Sequence, residues 1–108
     1  MNTIKLYFPS MDQDNHPINQ AVSNPIYKGL ITELCKINQG VSVYPVNGYY
    51  LTSSGILIND DISLITSITD KLDDTLKVMK AFSMIILKEL NQESVLIEVD
   101  NRLEFINR

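Results

Sequence analysis

Hydrophobic and polar residues alternate in several short stretches of the chain, and a period of two is typical of half-buried β-strands. In the first stretch, Ile4, Leu6 and Phe8 share one side of the strand. The predicted strands are residues 3–8, 41–46, 62–68, 94–99 and 102–106. Asp100 and Asn101 separate the last two strands, and these residue types favour a two-residue hairpin turn.

Two longer segments have apolar residues at the spacing of an amphipathic helix. The first helix is predicted over 25–38, because Asn24 is a good N-cap and Pro25 suits the first helical position. The second is predicted from 69 or 70 to about 91. Its predicted buried stripe consists of Leu72, Leu76, Met79, Phe82, Ser83, Ile86 and Leu90. Residues 10–23 show neither period and predict a long loop.

The order of these elements predicts an α+β fold of the ferredoxin-like (split βαβ) type. Such a fold has one antiparallel sheet with two helices on one face, and here a β-hairpin is added at the C-terminus. A chain of 108 residues suits a single domain over 1–108. A doubly wound parallel sheet needs continuous apolar strands, and a helical bundle does not accommodate the period-two stretches.

The two middle strands are predicted to form a long antiparallel ribbon. Pro45 lacks a backbone donor, which places the first of these strands at an edge of the sheet or at a bulge. We place a bulge at Gly48 and the hairpin turn at 52–55. Because one extra residue reverses the side to which every later side chain points, this bulge leaves open whether Tyr49 or Tyr50 faces away from the helices.

Glycines precede three groups of residues in the middle third of the chain. The groups are Gly40 before Ser42 and Val43, Gly48 before Tyr49 and Tyr50, and Gly55 before Asp60 and Asp61. This arrangement resembles a pattern in a family of small uncharacterised bacterial proteins: a glycine and a Ser/Thr-Val strand, a glycine and an aromatic pair, then a glycine turn and an acidic residue. The resemblance implies a ferredoxin-like fold and brings no established activity.

Charge and cysteine content bear on the partners and the compartment. The 13 acidic and 9 basic residues give a net charge of -4, which opposes binding to phosphate backbones and anionic membranes. We therefore expect no nucleic-acid and no membrane partner. Cys35 is the single cysteine, so no intrachain disulfide forms, and we expect a cytoplasmic protein. Next to core residue Leu34, Cys35 is interpreted as a packed thiol.

Few polar residues stand in a pattern that specifies chemistry. His16 follows Asp12 and Asp14, but the spacing fits neither an EF-hand nor a paired-histidine metal site, and we interpret the segment as a solvated loop. Asp60 and Asp61 are neighbours on an extended chain and point to opposite faces, which favours a polar bulge over an acid–base pair. We expect no catalytic residue, no metal and no cofactor.

The sheet face away from the helices is the remaining candidate site. We expect Ile62, Leu64 and Ile68 to pack on the helices, which leaves a mixture of aromatic and aliphatic residues on the open face. The predicted partner-binding residues on that face are Tyr7, Tyr44, Tyr49, Tyr50, Ile65 and Leu96. A patch of this kind is typical of an interface or a ligand site.

Three functions fit this face. We favour a small protein-interaction module that self-associates as a homodimer or binds a partner protein, as an accessory or inhibitor protein of a mobile element does. The alternative is a dimeric α+β-barrel small-ligand binder or enzyme, with its pocket between two open sheet faces. RNA binding ranks last, because the strand at 62–68 offers no second aromatic platform beside Tyr7 and the net charge is unfavourable.

Overall fold

The computed structural model describes residues 1–51 and 53–108. Its elements in chain order are β1 (Asn2–Phe8), α1 (Gln20–Asn38), β2 (Ser42–Leu51), β3 (Leu57–Thr69), α2 (Leu72–Glu89), β4 (Ser94–Val99) and β5 (Arg102–Asn107). Within the described ranges, no helix combines the length and the apolar character that crossing a membrane requires.

The five strands form one antiparallel sheet in the order β2-β3-β1-β4-β5. β1 is central and pairs with β3 along its whole length, from Asn2↔Thr69 to Phe8↔Ser63. β2 is an edge strand, as Pro45 predicts. The predicted α+β class with one antiparallel sheet and two helices is confirmed, and the arrangement is compatible with the predicted ferredoxin-like fold.

The connections between paired strands follow local backbone chemistry. Asp100 and Asn101 lie between β4 and β5 with φ of 48° and 70°, a left-handed region that Asn and Asp tolerate better than most residues. Between β2 and β3, Gly55 has a φ of 84°, where the absence of a Cβ is an advantage. Of the turn predicted at 52–55, Thr52 lies outside the described residues.

The core lies between the helices and one face of the sheet. On β1, Ile4 and Leu6 are fully buried and Phe8 is nearly so. The predicted stripe of α2 faces this layer, with Met79 and Ile86 at its centre. β1 therefore presents to the helices the side that its alternation predicts.

The side of β3 that faces the helices is not the side that its hydrophobic residues predict. Ile65 pairs with Leu6 and is fully buried on the helix side, whereas Ile68 is 59% exposed. Ile62 and Leu64 share the parity of Ile68 and lie on the open face. The predicted packing face of β3 is therefore wrong, and so is the placement of Ile65 on the open face.

The physical reason is a polar cluster that we call the Asn38 cluster, formed by Asn38, Ser67, Thr69 and Thr75. Asn38, the last residue of α1, donates to Ser67 Oγ and Thr75 Oγ1, both at 3.0 Å, and accepts from Thr69 Oγ1 at 2.6 Å. Buried hydroxyls cost little when their hydrogen bonds are made. β3 therefore buries two hydroxyl residues beside Ile65 and leaves an isoleucine exposed.

The β2–β3 ribbon has no bulge. Its pairing is continuous over the 10 residues of β2, with Gly48 opposite Asp60. The bulge predicted at Gly48 is wrong: a Cβ built there lies 2.8 Å from Ile62 Cδ1, so glycine makes room for a side chain of the neighbouring strand. Without a bulge, Tyr50 has the parity of the open face and Tyr49 points to the opposite side.

α1 begins five residues before its predicted start. Asn19 is the N-cap, and its side chain accepts a hydrogen bond from the backbone N–H of Ala21 at 2.9 Å. Pro25 therefore lies inside the helix, where it removes one backbone donor. The extra turn of helix brings residues 20–24 beside the end of β1.

Candidate functional site

A cleft of about 400 Å³ opens at the end of the sheet where β1 finishes. Its walls come from the end of β1, the connection 9–19, the first half of α1 and the middle of β3. The aromatic and polar residues that line it are Phe8, Ser10, Gln20, Ser23, Asn24, Tyr27, Asp61 and Ser63. Small-molecule sites typically occupy about 300–1,000 Å³, so the cleft is of a suitable size.

An aromatic pair lies on one side of this cleft. The rings of Phe8 and Tyr27 meet edge to face, with centroids 5.4 Å apart and an interplanar angle of 78°. Phe8 is 5% exposed and belongs to the core, whereas Tyr27 is half-buried. Tyr27 therefore offers the cleft an aromatic surface that the core holds in place.

Asp61 supplies the negative charge of the cleft. It lies on β3 opposite Asn47, is exposed, and has the parity of the helix side. The remaining residues that line the cleft are neutral. A ligand with a positive group is therefore better suited to it than an anion.

Asp60 points to the other side of β3. Its Oδ1 accepts hydrogen bonds from Ser10 N at 3.0 Å and from Ser10 Oγ at 2.7 Å. On this side, Asp60 and Tyr50 line a second, smaller cleft of about 210 Å³ that also includes Glu93. The two neighbouring carboxylates thus serve two different surfaces.

The segment predicted as a loop at 10–23 is well held by hydrogen bonds. Met11 and Pro17 form an isolated antiparallel bridge. Asp12 Oδ1 accepts from the backbone N–H groups of Asp14 and His16, both at 2.9 Å. These bonds, that of His16 first, lower the pKa of Asp12 because they favour its ionised form.

The predicted partner-binding residues are divided by the structure. Tyr44 and Tyr7 both pair with Leu64 on the open face, and Leu96 lies on the same face of β4. Tyr50 has this parity too. Tyr49 and Ile65 have the opposite parity, and Ile65 lies in the core. None of the six lines the 400 Å³ cleft.

On the open face, Tyr7 belongs to a small polar group. Its hydroxyl donates to Glu98 Oε1 at 3.2 Å, and Lys5 Nζ lies 3.4 Å from Glu98 Oε2. Burial raises the pKa of Tyr7, and the negative charge of Glu98 adds to the effect. Both carboxylate oxygens of Glu98 thus have partners within the sheet, which favours a structural role for the group.

The other polar candidates are exposed. The His16 side chain is 75% exposed, and its Nδ1 lies 3.9 Å from Asp12 Oδ2. Cys35 is exposed and does not pack in the core as predicted, because it lies on the outer side of α1. Among residues 1–51 and 53–108, no group of three or more His, Cys, Asp and Glu side chains is placed to hold a metal ion.

Sequence reasoning missed the cleft for identifiable reasons. Asn24 was assigned to a helix start, whereas Asn19 caps the helix and Asn24 lines the cleft one turn further on. Tyr27 has the spacing of a core residue, which it partly is. The sequence did contain one signal, the pair Asp60 and Asp61. Because neighbouring residues of a strand point to opposite faces, one of the two carboxylates must lie on the helix side of β3.

No protein-family model and no curated protein matches this chain. Two solved structures share its fold. One is a phage SAM lyase in complex with S-methyl-5′-thioadenosine, with a TM-score of 0.67 and 16% sequence identity over 99% of this chain and 89% of that chain. The other is a phage SAM lyase in the apo state, with a TM-score of 0.65, 17% identity and the same coverage.

This likeness corrects the function that the open face predicts. A protein-interaction module is the wrong conclusion, because the fold shared over nearly the whole chain is that of a small enzyme. The small-ligand alternative agrees better with the shared fold. Its predicted pocket lies between two open sheet faces, whereas the cleft lies on the helix side of the sheet.

Proposed function

We propose that this protein is an enzyme that binds S-adenosylmethionine and cleaves it as a lyase. The observation that carries the proposal is the likeness to phage SAM lyase over 99% of the chain. The cleft beside Tyr27 and Asp61 supports it, because it combines an aromatic surface with a carboxylate in a volume suited to a small molecule.

The ligand has three parts that the cleft accommodates. An adenine ring stacks on an aromatic side chain, here Tyr27, and such stacking contributes about 1–3 kcal/mol. Ribose hydroxyls need polar partners, which Ser10, Asn24 and Ser63 provide along the wall. The α-ammonium group needs a carboxylate, which Asp61 provides.

The charge change in the reaction determines where Asp61 acts. When the bond between sulfur and the amino-acid side chain breaks, its electron pair stays on sulfur and the sulfonium loses its positive charge. The carbon that sulfur leaves forms a new bond to an oxygen of the substrate's own carboxylate, so the amino-acid part departs as a five-membered lactone and no further reactant is needed. A carboxylate touching the sulfonium stabilises the substrate more than the transition state and slows cleavage. We therefore assign Asp61 to the ammonium end and the aromatic side of the cleft to the sulfur and adenine.

The proposal is tested with substrate and product as separate ligands. Asp61→Asn should weaken binding of S-adenosylmethionine about tenfold, the loss of one charge-assisted contact, and leave binding of S-methyl-5′-thioadenosine unchanged. Tyr27→Ala should weaken both ligands about tenfold or more. Isothermal titration calorimetry measures both, with Asp70→Asn and Tyr49→Ala as controls away from the cleft. Wild-type protein that binds neither ligand would contradict the proposal.

We also propose that a second copy covers the open sheet face, as the dimeric small-ligand alternative predicts. An apolar row crosses the sheet there, consisting of Tyr44, Leu64, Tyr7, Leu96 and Phe105. Tyr44 and Phe105 are 53% and 59% exposed in the single chain. Light scattering should give twice the mass of 12.3 kDa, and Phe105→Glu should return the mass to one copy.

We propose that the elements β1 to β4 and both helices form the ferredoxin-like split βαβ unit, with β5 added through a hairpin. The sheet order β2-β3-β1-β4 within the five strands supports it. Deletion of 101–108 should leave a folded protein with cooperative denaturation; loss of the folded state would show that β5 is part of the unit.

A further inference from the structure

We propose that Asp60 is a positioning residue that holds the connection 9–19 as a wall of the cleft, while Asp61 faces the ligand. The catalytic part of this inference rests on the proposed function, and the structural part stands without it. Sequence alone makes the two carboxylates equivalent neighbours. The structure separates them by the face of β3 from which each projects.

The contact that carries the inference is the bridge from Asp60 to Ser10. One carboxylate oxygen accepts from both the backbone N–H and the hydroxyl of Ser10, at 3.0 and 2.7 Å. Hydrogen bonds to a charged acceptor are roughly twice as strong as neutral ones. Asp60 thus fixes both the backbone and the side chain of the residue at which the connection leaves the sheet.

The bridge extends to the far side of the connection through Ser10 itself. Its carbonyl accepts from the backbone N–H of Ile18 at 2.9 Å. Both Ser10 and Ile18 line the cleft. A change at Asp60 is therefore transmitted across two hydrogen-bonded steps to the cleft wall, although Asp60 points away from it.

A second anchor holds the connection just beyond Ser10, at Met11 and Gln13. Gln13 N donates to Asn91 O at 2.9 Å, and Gln92 Nε2 donates to Met11 O at 2.8 Å. Because this anchor does not involve β3, removal of Asp60 leaves the outer part of the connection attached. We expect a loosened cleft wall in a protein that stays folded.

The bridge is tested first without any ligand, by amide hydrogen exchange. In Asp60→Ala, exchange at the amides of Ser10 and Ile18 should rise about tenfold or more. The Ser10 amide loses its acceptor, and the Ile18 amide keeps the Ser10 carbonyl as acceptor but on a residue that is no longer held in place. Asp60→Asn keeps an acceptor oxygen and should stay within about threefold of wild type. Asp61→Ala, the matched control one residue away, should leave both amides unchanged. If Asp60→Ala does not fold, Ser10→Ala removes one of the two bonds and should raise exchange at Ile18.

The second readout is the split between KM and kcat with S-adenosylmethionine. Asp60→Ala should raise KM about tenfold with a smaller change in kcat, and Asp60→Asn should restore KM. Unchanged amide exchange in Asp60→Ala overturns the inference, and so does an Asn variant as damaging as Ala. If wild type lacks activity but the exchange pattern is as expected, the proposed function fails and the bridge stands. If wild type is active but exchange in Asp60→Ala is unaffected, the bridge fails and the proposed function stands.

Discussion

At the end of the sheet where β1 begins, the last residue of α1 closes the space between helix and sheet. Asn38 connects there to Ser67, Thr69 and Thr75, whose exposed fractions are 1%, 2% and 0%. At the end where β1 finishes, the first half of the same helix contacts the sheet through Tyr27 and Phe8 but leaves a space beside them. The space left there is the cleft of about 400 Å³.

The difference lies in where polar groups find their partners. In the Asn38 cluster, Thr75 Oγ1 also bonds to Thr69 Oγ1 and Lys71 O, so the hydroxyls satisfy one another. In the cleft, Asn24 and Asp61 are exposed and available to a ligand. The space between α1 and the sheet is therefore sealed by hydrogen bonds at one end and open as a cleft at the other.

The largest expected effect concerns the core between the two ends. Ile65→Ala should destabilise the protein by about 2–5 kcal/mol, because Ile65 is fully buried against the helices. Ile68→Ala, on the other side of the same strand, should cost less than about 0.5 kcal/mol. Urea denaturation of the two variants decides which side of β3 is buried; a larger loss for Ile68→Ala would contradict the register described here.

The sealed end should lose stability when its central amide is removed. Asn38→Ala leaves three buried hydroxyls short of a partner, and we expect a loss of about 1–3 kcal/mol. Denaturation with urea measures this loss. An effect no larger than that of Lys36→Ala, an exposed position in the same turn, would show that the cluster does not hold the end closed.

At the open end, replacing an asparagine by alanine should affect ligand binding and leave stability nearly unchanged. Asn24→Ala changes an exposed residue of the cleft wall and should alter stability by less than about 0.5 kcal/mol. It should nevertheless weaken binding of S-methyl-5′-thioadenosine several-fold, since one hydrogen bond is lost. Titration calorimetry on Asn24→Ala and Asn38→Ala separates the two ends; weaker binding only in the Asn38 variant would reverse our assignment.

The smallest effect is the pH dependence of the connection beside the cleft. Hydrogen bonds from His16 and Asp14 lower the pKa of Asp12 below its unfolded value of about 3.9. The order that Asp12 contributes is therefore present above pH 4 and is lost as the pH falls through the folded-state pKa. The His16 amide resonance should follow this titration, and Asp12→Asn should abolish it. A titration midpoint above 4 would contradict the hydrogen bonding described.

Sequence periodicity predicts the parts of this molecule in which hydrophobicity decides the outcome. β1 buries Ile4 and Leu6, and the stripe of α2 around Met79 and Ile86 faces the core, as predicted. β3 is different because it has apolar residues at both parities. The deciding factor there is the amide of Asn38, which lies far away in sequence and makes the more polar side the buried one.

The cleft is less visible to sequence reasoning for a related reason. Phe8, Tyr27 and Asp61 come from three elements, and only the packed fold brings them together. The start of α1 added to the difficulty, since Asn19 and Asn24 are both good caps and Pro25 favours the second. The sides to which Tyr49 and Tyr50 point follow only from the continuous β2–β3 register.

The most direct test of the central claim is an NMR titration of the uniformly ¹⁵N-labelled protein with S-methyl-5′-thioadenosine. We expect saturable shifts of the amides of Ser10, Asn24, Tyr27 and Asp61, which surround the cleft. The amides of the Asn38 cluster, at the sealed end, should not move. Shifts centred on the Asn38 cluster, or no saturable shift at all, would contradict the assignment of a small-molecule site to the open end.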